Sequence, residues 1–205
     1  MATEAQSELE SRVRRSLAAA DLEGSVRLIL EGYGPEIFTY LLRSLRNEAD
    51  ASEVFSQFCE NLWRGIGSFR ERSSCRTWLF RLATNARSDF WRNPKHRRER
   101  RLQTDEISKI EQRVRSQTLS SFSGRAEDRF ARLRAALDRD EQTLLELRVE
   151  KEMGWSDIAE ILSVPDESMT DDELKARAAT LRQRYKRLKD KIREMARDEG
   201  LLDRP

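Results

Sequence analysis

Leu174, Ala178, Leu181, Tyr185, Leu188, Ile192 and Met195 follow one another at steps of 4, 3, 4, 3, 4 and 3. That spacing places seven apolar side chains on one face of a helix and leaves the rest to solvent. It commits the C-terminal part of the chain to a single long helix. Thr170, with Glu173 three residues on, supplies a capping box at its start. Such a stripe serves either as a coiled-coil seam between two copies or as one face packed on preceding helices. Three heptads is the lower limit for a coiled coil, so the packed face is the reading taken here.

The same periodicity recurs upstream. Ala51, Val54, Phe55, Phe58, Cys59, Leu62, Trp63 and Ile66 form one stripe, ended by Gly65 and Gly67. Asp50 and Glu53 resemble a capping box for it. Trp78, Leu79, Leu82, Ala83, Ala86 and Phe90 form another, closed by Asn93-Pro94. An earlier apolar stretch, Val26 to Leu30, is broken by Gly32, Gly34 and Pro35 before helix signal resumes from Ile37 to Leu45. Leu133 and Leu137, with Phe130, and then Leu144, Leu145 and Val149, mark short helices further on. After Gly154, Ser156 caps a helix through Leu162.

Apolar residues make up only 38% of the 205, below the ~45–50% of an average globular domain. That supply favours two small cores over one large one. The expected fold is all-α: two small helical domains joined by a flexible linker, the second with a helix-turn-helix. Residues 1–24 are polar and read as an extension outside the fold. Residues 25–94 form the first domain, 95–127 a linker and 128–200 the second domain. Within the linker, Ile107, Ile110 and Val114 have the spacing of a short helix.

Net charge is +2, so its distribution carries the information. Six of the seven residues from Lys95 to Arg101 are basic or His, and ten basic residues face two acidic ones from Lys175 to Arg197. Such clusters are either phosphate-binding surfaces or solvated faces. Cys59 and Cys75 lack any CxxC or neighbouring His and read as reduced core thiols of a cytoplasmic protein. His96 is the single histidine, and no zinc motif, Gly-rich phosphate loop or HExxH is present. An enzyme needs a convergent set of nucleophile, base or metal ligands. None is visible, so neither catalysis nor a cofactor is expected. No apolar run marks a signal peptide or membrane span.

A short helix, a connection and a basic helix form the layout of a helix-turn-helix reader. Arg182, Gln183, Arg184, Lys186 and Arg187 lie off the apolar stripe, where Arg offers two hydrogen bonds to guanine and Gln two to adenine.

Four segments sharpen this reading. Ser68-Phe69-Arg70-Glu71-Arg72-Ser73-Ser74-Cys75-Arg76-Thr77-Trp78-Leu79-Phe80-Arg81-Leu82-Ala83-Thr84-Asn85 resembles the SFRG-x-S-x-x-TWL-Y/F-RIA-x-N segment of extracytoplasmic-function (ECF) RNA polymerase sigma factors of the sigma-70 family. Asp50 through Phe58 and Leu62-Trp63 is similar to their DAED-LVQE-x-F…LW helix. Trp155 to Leu162 resembles their SYEEIAEIL. Thr180 to Arg187 resembles the TV-K/R-SR-x-x-R start of their recognition helix. The resemblance spans residues 25–93 and 130–195.

The resemblance implies an alternative sigma factor, with core RNA polymerase and promoter DNA as partners and an anti-sigma factor as a candidate regulator. Asp50, Glu53 and Gln57 would dock on the β′ clamp helices, although Asp50 and Glu53 also fit a purely capping role. Gln57 replaces the family's Glu. Phe69, Arg70, Arg76 and Asn85 would open the −10 element and hold an extruded base, which costs a few kcal/mol to flip. Trp78 fits the core stripe better than a stacking role. The second domain would meet the β flap and read the −35 element through Arg182, Gln183, Arg184, Lys186 and Arg187. The linker would thread the RNA exit path, with the Lys95–Arg101 run touching phosphate or merely solvated.

One departure concerns the reader. About a dozen residues, 166–177, separate Pro165 from Ala179-Thr180, where the family moves almost at once into its recognition helix. The Thr170 capping box implies that part of this insertion lengthens the helix by two turns. It either alters −35 recognition, offers a regulator a handle, or is an inert elaboration. A rival reading, a helix-turn-helix regulator independent of polymerase, accounts for the second domain but leaves the Asp50–Asn85 resemblance unexplained.

Overall fold

A computed structural model of the chain describes residues 4–92, 105–121, 131–163 and 169–201. Those residues are helices joined by turns, with no strand among them. The chain divides into two compact units, Met1–Ser123 and Gly124–Pro205. Asn93-Pro94, the Lys95–Arg101 run, Phe130 and residues 164–168, with the first three residues of the insertion segment, lie outside the described residues.

Unit 1 contains α1 (Glu4–Ala18), α2 (Leu22–Leu45), α3 (Glu48–Gly65), a 3-10 turn (Ile66–Ser68), α4 (Cys75–Arg92) and α5 (Asp105–Ser121). Helices α2, α3 and α4 pack around a core of Phe38, Phe55, Phe58 and Phe80, all nearly inaccessible. The Phe38 and Phe55 rings are 5.0 Å apart, and Tyr40 meets Phe80 edge-on at 5.3 Å. Such pairs add to the area they bury.

Helix α2 is continuous, which corrects the break expected at Gly32, Gly34 and Pro35. The reason is packing. A Cβ at Gly32 would fall 2.3 Å from Leu9 of α1, and one at Gly34 would fall 3.1 Å from Val114 of α5. These glycines are seats for neighbouring helices rather than punctuation. The N-cap of α3 is also corrected: Asn47 Oδ1 accepts from the Asp50 N–H at 3.0 Å, so Asp50 stands in the first turn instead of capping it.

Two segments expected outside the folded domains belong to unit 1. Helix α1, within residues 1–24, packs on α2 and buries Val13. Helix α5, within the 95–127 linker, packs on α2 and α3 with Ile107, Ile110 and Val114 buried. Glu111 of α5 accepts a 2.6 Å hydrogen bond from Ser56, and Glu106 pairs with Arg27 at 2.5 Å. A short apolar stripe reads as weak when its partner face on α2 is already counted as part of a different core.

Unit 2 holds α6 (Ala131–Ala135), α7 (Arg139–Leu145), a π-helical turn (Glu146–Glu150), α8 (Trp155–Ile161) and α9 (Asp171–Asp198). Helix α7 begins with a capping box between Asp138 and Glu141. Helix α8 starts one residue before the expected Ser156 cap, after Gly154, with no side-chain cap. Helix α9 begins as expected, with Thr170 and Glu173 capping each other's backbone. Its apolar stripe packs on α8, α7 and α6. Ala178, Leu181 and Leu188 are buried, and Tyr185 meets Trp155 of α8 at 5.4 Å.

Candidate nucleic-acid interface

In unit 1 the loop from Ser68 to Ser74 is short and held at both ends. Ser68 Oγ donates to the Gly65 carbonyl at 2.8 Å. Ser74 Oγ accepts the Thr77 N–H at 3.0 Å, an N-cap for α4. Between these anchors Phe69 is half-buried, its ring 4.8 Å from that of buried Trp78. Arg70 is exposed, with Nη1 donating to the Gly67 carbonyl at 3.1 Å. A cation and a partly open aromatic ring therefore share one loop, the pairing that a stacked base beside its phosphate requires.

The loop has a second set of anchors that the sequence did not disclose. Glu10 of α1 reaches the N-terminus of α4, where its two oxygens accept from the Cys75 and Arg76 N–H groups at 3.3 Å each. Tyr33 OH donates to the same carboxylate at 3.3 Å. Arg14 pairs with Glu71 at 2.7 Å. Glu71 has φ +54°, a left-handed conformation that costs a side-chain-bearing residue more than glycine. Glycine is the residue at that place in the SFRG pattern.

The remaining two loop-region candidates are placed differently. Arg76 makes a two-pronged ion pair with Glu36 of α2, Nε at 3.2 Å and Nη2 at 2.6 Å, and lies over the Phe80 ring at 5.3 Å. Its guanidinium is thus tied to the body of unit 1. Asn85 is half-buried midway along α4. Phe69 and Arg70 come together, whereas Arg76 is turned to a structural partner.

Along α3, Gln57 is exposed and donates to Asn61 Oδ1 at 3.0 Å, while Asp50 and Glu53 are half-buried. Positions 50, 53 and 57 fall on one side of the helix, away from the face that carries Phe55, Phe58 and Leu62.

In unit 2, Arg182, Gln183, Lys186 and Arg187 are exposed on α9. Arg184 is not with them. It is half-buried and points at the start of α7, 3.4 Å from Asp140 and 3.9 Å from Asp138. Lys191 does the same with Glu141 at 2.7 Å. Arg182 lies over the Trp155 ring at 5.9 Å. Leu133, Leu137, Leu145, Val149 and Ile192 line an apolar hollow of about 240 Å³, with Val149 half exposed.

Both cysteines are buried and free. Burial first, and then the Glu10 carboxylate, push the Cys75 thiol well above its ordinary value. Burial and then Glu111 do the same to Cys59. Neither is a nucleophile at neutral pH. Among the described residues no group of His, Cys, Asp and Glu is placed to hold a metal, and no helix is long and apolar enough to cross a membrane.

Residues 29–98 match the family Sigma-70 region 2. The chain is also 30% identical over 142 residues to the RNA polymerase sigma factor YlaC of Bacillus subtilis (strain 168), an alignment covering 67% of this chain and 79% of that protein.

Proposed function

Since the chain belongs to the sigma-70 family of RNA polymerase sigma factors, within its extracytoplasmic-function group, we propose that it directs core polymerase to promoters through four separate surfaces. The polar strip of α3, with Asp50, Glu53 and Gln57, docks on the β′ clamp helices. The Ser68–Ser74 loop opens the −10 element, with Phe69 stacking an extruded base and Arg70 meeting the adjoining phosphate. The exposed side of α9, with Arg182, Gln183, Lys186 and Arg187, reads the −35 element, and the apolar hollow of unit 2 seats the β flap.

The observation that carries this reading is the Phe69–Arg70 pair on an anchored loop inside the stretch matching region 2. Arg76 contributes by fixing the start of α4 to α2 through Glu36 rather than by touching DNA. Arg184 braces α9 against α7. The residues 169–177 at the start of α9 carry Asp171, Asp172 and Glu173. Those carboxylates are repelled by phosphates, so α9 meets the groove by its middle, and the insertion shifts the docking point along the helix.

Co-elution with purified core polymerase on size exclusion tests the first surface. The wild-type protein is expected to co-elute, and Glu53→Lys with Gln57→Lys to weaken that association. A wild-type protein that elutes apart from core at micromolar concentrations would leave only a polymerase-independent DNA reader.

A further inference from the structure

Helix α1 touches the −10 loop at one place, through Arg14 and Glu71, and the α4 N-terminus at another, through Glu10. Glu10 places its carboxylate on two orphan N–H groups, where the helix dipole favours a negative charge. The same spot would otherwise suit a phosphate, so DNA contact at this loop falls to side chains instead. Arg14 holds Glu71, the residue in the left-handed conformation, from across the loop. Leu9 sits on Gly32, which fixes α1 against α2 at the depth these contacts require. Phe69 and Arg70 immediately precede Glu71, the loop residue so held.

We propose that α1 is the positioning element of the −10 loop, and that Glu10 and Arg14 are positioning residues for capture of the non-template strand. This rests on the reading of that loop as the −10 contact. The loop has two competing demands. Phe69 must stay on Trp78 until a base replaces or joins it, and Glu71 must hold a backbone conformation that its side chain disfavours. Glu10 fixes where α4 starts, and therefore where Trp78 stands. Arg14 fixes the turn that Glu71 makes. When either tie is lost, the loop samples other shapes and the fraction ready to accept a base falls, which lowers apparent affinity in proportion.

Two measurements on the full-length protein test this. Hydrogen exchange reads the tie directly: Glu10→Ala is expected to speed exchange at the Cys75 and Arg76 amides by about threefold to tenfold, the range for loss of a helix cap. Open-complex formation by the holoenzyme, read by permanganate reactivity at the −10 element, is expected to fall by a similar factor while affinity for core polymerase stays within about twofold. Arg14→Glu is expected to cost open complexes about twofold to fivefold, the scale of an exposed pair. The double variant Arg14→Glu with Glu71→Arg restores them, and in a Glu71→Gly background Arg14→Ala has no effect.

Unchanged exchange at Cys75 and Arg76 in Glu10→Ala would overturn the proposal, whatever the DNA result. So would faster exchange with undiminished promoter opening in both single variants. A wild-type holoenzyme that opens no promoter would contradict the −10 reading itself, and the exchange measurement would still decide whether α1 holds the loop.

Discussion

The two units present their working residues in opposite ways. Unit 1 surrounds an aromatic core and displays Phe69 and Arg70 on a seven-residue loop tied down from α1, α3 and α4. Unit 2 has an aliphatic core of Leu144, Leu147, Ile158, Ile161, Leu181 and Leu188, and it displays its basic residues along the side of one 28-residue helix. A helix face is rigid because its backbone hydrogen bonds are internal. A loop has no such support and must borrow it from neighbours. Opening a duplex needs a shaped pocket, whereas reading a groove needs a rod that fits it. On the proposed function, the difference between the units follows the difference between those two tasks.

The contrast can be broken by mutation. The largest expected effect is in the unit 1 core. Phe55→Ala, buried against Phe38 at 5.0 Å and Phe58 at 5.7 Å, should cost about 3–5 kcal/mol in chemical denaturation, whereas Leu188→Ala should cost unit 2 about 2–4 kcal/mol. A larger loss at Leu188 would invert the comparison of cores.

Next comes Glu111→Ala on α5. It removes the acceptor of the 2.6 Å bond from Ser56 and should cost about 1.5–3 kcal/mol, the scale for a hydrogen bond to a charged group. It should also speed hydrogen exchange along 105–121. A silent substitution would mean that the Ser56 bond adds nothing to the hold that Ile107, Ile110 and Val114 give α5.

On the DNA side, Arg182→Ala should lose roughly 1–3 kcal/mol of discrimination at one base pair of the −35 element if it reads guanine with both nitrogens. Arg184→Ala should change discrimination by less than about 0.5 kcal/mol and act on stability instead, because its partners are Asp138 and Asp140. Comparing the two across a panel of −35 variants checks this. Equal losses would place Arg184 in the groove.

The smallest effect is on pH. The Thr170 backbone N–H, and then its hydroxyl, hold the Glu173 carboxyl below the usual carboxylate range. Its folded value is depressed, so the contribution is present above the ordinary carboxylate value and disappears as pH falls through the folded one. Protection at the first turn of α9, exchange being referred to its intrinsic rate at each pH, should therefore fall at acidic pH in the wild type but stay flat with pH in Glu173→Gln.

What the sequence disclosed follows from the same physics. Period and capping are local, so the α9 stripe, the Thr170–Glu173 box and the α3 stripe were all legible. The exposed side of α9 followed from its stripe, but Arg184 did not. Its acidic partners lie 44 and 46 residues upstream and face it only once α7 packs on α9. Glu10, 65 residues from Cys75, and Glu36, 40 residues from Arg76, are ordinary acidic residues on helices, with no local mark of their targets. Gly32 and Gly34 carried a signal that was read with the wrong cause: close approach by α1 and α5, not chain breaking. For Glu71, the departure from glycine in the SFRG pattern was the available hint.

As proposed, this chain gives core polymerase its promoter choice. Run-off transcription with purified core RNA polymerase on a fragmented library of the host's own DNA tests it most directly. Start sites are expected that appear only when the protein is present, preceded by common −10 and −35 elements. Phe69→Ala is expected to abolish most of them, while Arg182→Ala shifts the −35 preference. Binding of the library with no initiation at any site would contradict it.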